Sequence, residues 1–157
     1  MDPIRISSLI AQIEAQMIEI TAVYGTVEAR ASTMRPDEVV TVEALAYQLH
    51  NLYNTCEDLL KLVANAFENH IDDQAGWHRG LVQRMSLTIE GVRPAFISPE
   101  ALPHLNELRS FRHFFRHAYN TPISVPRLLL VLDEARAAYP LLQRDVEAFI
   151  AHLRALL

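Results

Sequence analysis

From Ile4 to Val27 the apolar residues Ile4, Leu9, Ile10, Ile13, Met17, Ile20, Val23 and Val27 recur mostly at three- and four-residue steps. Side chains spaced this way share one face of a helix, so the pattern predicts a long amphipathic helix over residues 4–31 that ends before Ser32. A second stripe, Leu45, Leu49, Leu52, Cys56, Leu59, Leu60, Val63 and Phe67, follows Pro36 and Asp37, with Asp37 as candidate N-cap. A break is expected from Asp72 to Gly76, then a shorter helix from Trp77 to Leu87 and a loop from Gly91 to Pro94. Ser98-Pro99-Glu100 reads as the start of a further helix with proline at its first helical position. Thr121-Pro122 ends or sharply kinks that helix. Val125-Pro126 opens the last one, whose apolar positions run from Leu128 to Leu156, and Pro140 is expected to kink it. With no alternating strand run, hairpin signal or internal repeat, the pattern predicts an all-α up-and-down bundle of four to five helices, one domain over 1–157.

The helix after Ser98 carries the densest chemistry, Arg112-His113-Phe114-Phe115-Arg116-His117-Ala118-Tyr119. At about 100° per residue, Tyr119, Arg112, Arg116, Arg109, Asn120, His113 and His117 fall within an arc of about 160°. Leu108, Phe111, Phe114, Phe115 and Ala118 fill the opposite arc, which is what a bundle core needs from the same helix. The polar arc is therefore expected to face solvent, a ligand or a second subunit.

Charge sharpens this picture. The chain carries a net charge of −5, yet residues 77–127 hold seven arginines against three acids, leaving −9 for the rest. Acidic ends reject indiscriminate polyanion binding, while a local positive field still draws a phosphate to one place. Thirteen of the fourteen basic residues are arginine, whose planar guanidinium grips phosphate by two parallel hydrogen bonds. Cys56 is the single cysteine, so no intramolecular disulfide forms, and its neighbours predict a buried small hydrophobe. Residues 1–14 lack a basic segment followed by a long apolar run, and no stretch of the chain reaches 18 uncharged apolar residues. The expectation is a cytoplasmic protein with no membrane partner.

Arg112, His117 and Tyr119 form the pattern arginine, four residues, histidine, one residue, tyrosine, with His113 directly after the arginine. This resembles the signature of HEPN-domain ribonucleases, and the full form resembles the HepT toxin branch, which pairs with the minimal nucleotidyltransferase MntA. The segments NAFENHIDDQAGWHRGLVQRM, VRPAFIS and ELRSFRHFFRHAY are similar to those of longer HepT-like proteins. The resemblance implies a homodimer with two motif helices facing a cleft at the two-fold axis. It implies a metal-independent endoribonuclease, without cofactor, acting on cellular RNA such as tRNA. It further implies that a cognate MntA-like nucleotidyltransferase, with ATP as AMP donor, restrains the toxin by AMPylating Tyr119.

The residues suit such chemistry. In metal-independent cleavage the RNA 2′-hydroxyl attacks the neighbouring phosphorus and expels the 5′-oxygen. His117 is the candidate proton carrier, because imidazole titrates near neutrality. Arg112 is the candidate cation for the extra charge of the phosphorane, because it keeps its proton. His113 supports them, and Arg109, Arg116 and Asn120 are candidate RNA contacts. An alternative is a catalytically silent HEPN module that binds nucleotide or the nucleotidyltransferase as a scaffold. His113 and His117 four apart also have metal-pair spacing, with His104 a distant third ligand, but the two adjacent guanidiniums oppose a divalent cation and no metal site is expected. His50, His70, His78 and His152 read as structural or solvated, though His78-Arg79 can also line the cleft. Glu68, Asp72 and Asp73 read as a solvated helix end.

Overall fold

Pro3 sits in the first turn of α1 (Pro3–Thr33), and the Asp2 carboxylate accepts the Arg5 backbone N–H, so the chain enters its first helix with a proline and a cap in place. The computed structural model describes residues 2–67, 74–118 and 120–157, with the side chains of 74–79 excepted. Tyr119, Glu68, His70, Asp72 and Asp73 lie outside the described residues, as do the His78 and Arg79 side chains.

The expected Asp37 cap is displaced by one residue. α2 (Val39–Phe67) begins with the Glu38 carbonyl accepting the Val42 N–H, while Asp37 stays in the preceding turn. The Thr41 hydroxyl closes that turn by accepting from the Arg35 N–H and donating to the Glu38 carbonyl. The hydroxyl thus ties the preceding turn to the first turn of the helix and does not cap a helix N–H as Asp37 was expected to. α3 (Gln74–Met85) starts ahead of Trp77, so Gly76 belongs to the helix and not to a break.

Between α3 and α4 the chain makes a tight return. Ile89 and Arg93 form an isolated antiparallel bridge around Gly91, whose φ of 74° suits a residue without Cβ. Arg93 is buried, and its guanidinium donates to the carbonyls of Leu87, Pro94 and Arg84. This arginine, counted in the basic middle, therefore ties a loop together instead of meeting a ligand.

Ser98 opens α4 (Ala101–His117): its hydroxyl accepts the Ala101 N–H and its carbonyl the Leu102 N–H, with Pro99 in the turn between. The buried Asp145 carboxylate of α5 accepts the Ser98 N–H at 2.8 Å and fixes this corner to the bundle. α5 (Val125–Arg154) starts on a Ser124 cap with Pro126 in its first turn and runs through Pro140 as one helix. The architecture is all-helical, and the described residues contain no strand.

α2 is the hub, packing on α1, α3, α4 and α5, with its face toward α1 the most extensive seam. Leu45, Leu49, Leu59, Leu60 and Val63 of the predicted stripe are fully buried with Ile13 and Ile20 of α1. Cys56 is buried among them, and burial pushes its thiol up to about 12, so it serves as a small hydrophobe. Among the described residues no helix is long and apolar enough to cross a membrane.

Candidate functional site

α4 presents Leu105, Leu108 and Phe111 to the core, and Phe114 and Phe115 are partly buried against it, as the apolar arc predicts. The helix stops at His117, so Asn120 does not continue its polar arc but stands in the following turn, exposed. Ala118, expected on the apolar arc, is the C-terminal cap with ψ of 57°.

Arg112 is only partly exposed. Its position on the polar arc predicts a side chain turned to solvent or a ligand, but only 24% of it is exposed. It reaches across to α2 instead. Nε donates to Asn54 Oδ1, Nη1 lies 3.7 Å from Glu57 Oε2, and the guanidinium sits 5.9 Å from the centre of the Tyr53 ring. Glu57 is itself buried and held on its other side by Lys61 Nζ at 2.6 Å. Burial and the Glu57 charge hold the Tyr53 hydroxyl above its ordinary range, so it stays neutral beneath the guanidinium. A long side chain at the edge of the core buries its stem and anchors its head on whatever acceptors the neighbouring helix offers, and α2 offers two. Among the described residues Nη2 makes no hydrogen bond, while Nε and Nη1 are turned to Asn54 and Glu57.

His117 behaves in the opposite way. It is exposed on the last turn, and its Nδ1 lies 2.8 Å from the His113 carbonyl oxygen. A carbonyl only accepts, so Nδ1 carries the proton and, in the neutral ring, Nε2 is a bare base facing out. The His113 ring lies 4.5 Å from that of His117 and is also exposed. Arg112 and His117 have separate partners, as their separation around the helix predicts.

The remaining expected residues divide. Arg116 is exposed; Arg109 is half-buried and its Nε donates to Asn106 at 3.4 Å. Arg127, from the start of α5, lies 5.7 Å from the Phe114 ring centre and adds a cation to the same end of α4. His104 is bound to Glu134 of α5, joining the two helices. Among the described residues no three His, Cys, Asp or Glu side chains stand together as metal ligands would.

Four residues of α2 belong to this site although their sequence context did not single them out: His50, Tyr53, Asn54 and Glu57. Their one signal is spacing, since His50, Asn54 and Glu57 recur at four and three residues beside an apolar stripe. His50 Nε2 is 3.1 Å from Asn54 Nδ2, and its ring packs on Phe115 with centres 5.0 Å apart. Burial first, then the charges of Arg112 and Arg116, hold this imidazole below its ordinary range.

A family model described as HepT-like protein matches residues 44–153, from α2 to the last turn of α5. No curated protein and no solved structure matches the chain.

Proposed function

The chain belongs to the HepT-like protein family, of HEPN type, and on that premise we propose that it is the toxin of a toxin–antitoxin pair, a homodimeric, metal-independent endoribonuclease. The observation that carries this reading is the division of labour on α4: an anchored guanidinium at Arg112 and an exposed imidazole with a bare Nε2 at His117. In the proposed reaction His117 Nε2 takes the 2′-hydroxyl proton as the 2′-oxygen bonds to phosphorus. Arg112 Nη2 faces the charge that grows on the phosphorane, and the 5′-oxygen leaves with a proton from a second imidazole. Two protomers facing across a two-fold axis would supply that second imidazole. Arg109, Arg116 and Asn120 would hold the flanking RNA, with His113 supporting His117.

Control falls on Tyr119, two residues beyond His117. A cognate MntA-like nucleotidyltransferase would join the Tyr119 oxygen to the α-phosphorus of ATP and release pyrophosphate. The added anion would compete with RNA for the arginines.

A specific observation also favours the silent module as a second reading. Glu57 partly neutralises Arg112, whose side chain is mostly covered. One experiment separates the two. Purified protein incubated with total RNA in chelator is expected to leave discrete fragments ending in 2′,3′-cyclic phosphate. Arg112→Ala and His117→Ala should each lose about a hundredfold or more in rate. Strict metal dependence would overturn the role of His117. No fragments from an intact, unmodified dimer would leave the scaffold. With nucleotidyltransferase and ATP, AMP mass is expected on a peptide containing Tyr119, and modification elsewhere would overturn that assignment.

A further inference from the structure

We propose that His50, acting through Asn54, is a positioning residue for Arg112, a role in catalysis that rests on the nuclease reading above. Three side chains on two helices form one directed chain of hydrogen bonds. Arginine has only donors, so the Asn54 atom meeting Arg112 Nε is the carbonyl Oδ1. That orientation turns the Asn54 amino group toward His50 Nε2 at 3.1 Å. An amide NH₂ only donates, so Nε2 must be bare and the neutral ring carries its proton on Nδ1.

The two ends of a carboxamide have nearly the same shape, but a half-turn of the amide would set its NH₂ against the Arg112 Nε–H, donor against donor, so Arg112 already selects the orientation of Asn54. With its proton on Nδ1, His50 adds an acceptor for the amino group on the far side and holds the amide in that orientation. Without it, a rotated Asn54 releases the guanidinium to swing toward solvent or onto Glu57 alone.

Two further observations set His50 apart from a filler of space. Among the described residues its buried Nδ1 has no hydrogen-bond partner, a disfavoured arrangement that an apolar side chain in the same place would avoid. The ring is also held in orientation by Phe115, one helical step beyond Arg112 on the same helix. Burial first, then the charges of Arg112 and Arg116 on α4, favour the neutral ring.

The test uses the full chain and three variants. His50→Phe keeps a ring against Phe115 but removes the acceptor, His50→Gln offers an amide oxygen near the place of Nε2, and Asn54→Leu cuts the chain at its middle. In ¹⁵N-resolved NMR the Arg112 Nε–H is expected to be protected from exchange in wild type and His50→Gln, and to exchange freely in His50→Phe and Asn54→Leu. In RNA cleavage His50→Phe should lower kcat about tenfold with KM unchanged, and His50→Gln should restore most of it. A protected Arg112 Nε–H in His50→Phe would overturn the proposal, as would equal losses in the Phe and Gln variants. Should His50→Phe fail to fold, the wild-type ring decides: a proton on Nδ1 supports the chain, and one on Nε2 breaks it. A wild type that cuts no RNA, yet shows the expected Arg112 protection pattern, refutes the nuclease reading and leaves the positioning of Arg112 standing.

Discussion

Two of the seams of α2, toward α1 and toward α4, are built on different principles. Toward α1 it is largely apolar, and among the described residues the one side-chain hydrogen bond that crosses there runs from Gln16 Nε2 to the Thr55 carbonyl. Toward α4 it adds to the shared apolar core a polar set, His50, Asn54 and Glu57, with Asn54 and Glu57 facing Arg112. Burying such a set is a poor way to stabilise a bundle, since desolvating each group offsets much of what its partner returns, and apolar replacements often match it. A helix that is well packed along one side and polar along the other is holding something in place, and here that is Arg112.

The comparison can be broken in graded steps. Leu49→Ala, on the fully buried stripe, is expected to cost about 2–5 kcal/mol in urea unfolding through lost burial and the cavity left behind. Arg112→Met should cost about 1–3 kcal/mol, because Glu57 then keeps only Lys61. Adding Glu57→Leu should bring stability back to within about 1 kcal/mol of wild type while leaving RNA cleavage abolished. A double variant as unstable as the sum of its parts would show that the polar seam stabilises the bundle after all.

The smallest effect belongs to a pair outside both seams. A hydrogen bond from Arg136 holds the Glu28 carboxyl below its ordinary range. A lowered carboxyl pKa adds stability that is present above the ordinary carboxylate range and lost as pH falls through the lowered value. Both side chains are more than a third exposed, so Arg136→Met should cost less than about 1 kcal/mol near neutrality and nothing once Glu28 is protonated. Urea midpoints at two pH values measure this.

Much of the fold is legible from residue spacing. Helix α1 is expected over 4–31 and spans Pro3–Thr33, and the caps at Ser98 and Ser124 act where the prolines after them indicate. The shifted start of α2 was not legible, because a threonine inside the helix bonds back to Arg35 and Glu38 and moves the boundary past Asp37. The partners of Arg112 on α2 were not legible for a related reason. A wheel of α4 places a residue on a polar arc but says nothing about which helix lies beside that arc or what acceptors it carries.

Periodicity, proline and capping residues act within about a turn of the chain, so the sequence by itself determined the helices, the all-α class and the gathering of arginine, histidine and tyrosine near the end of α4. The family match is broader and spans residues 44–153. Which of those side chains is anchored and which is free depended on the tertiary structure alone. Asn54 and Glu57 stand 58 and 55 positions before Arg112. Only packing of α2 against α4 brings them within reach, and a hydrogen bond is decided by distances of a few tenths of an ångström that no spacing along the chain encodes.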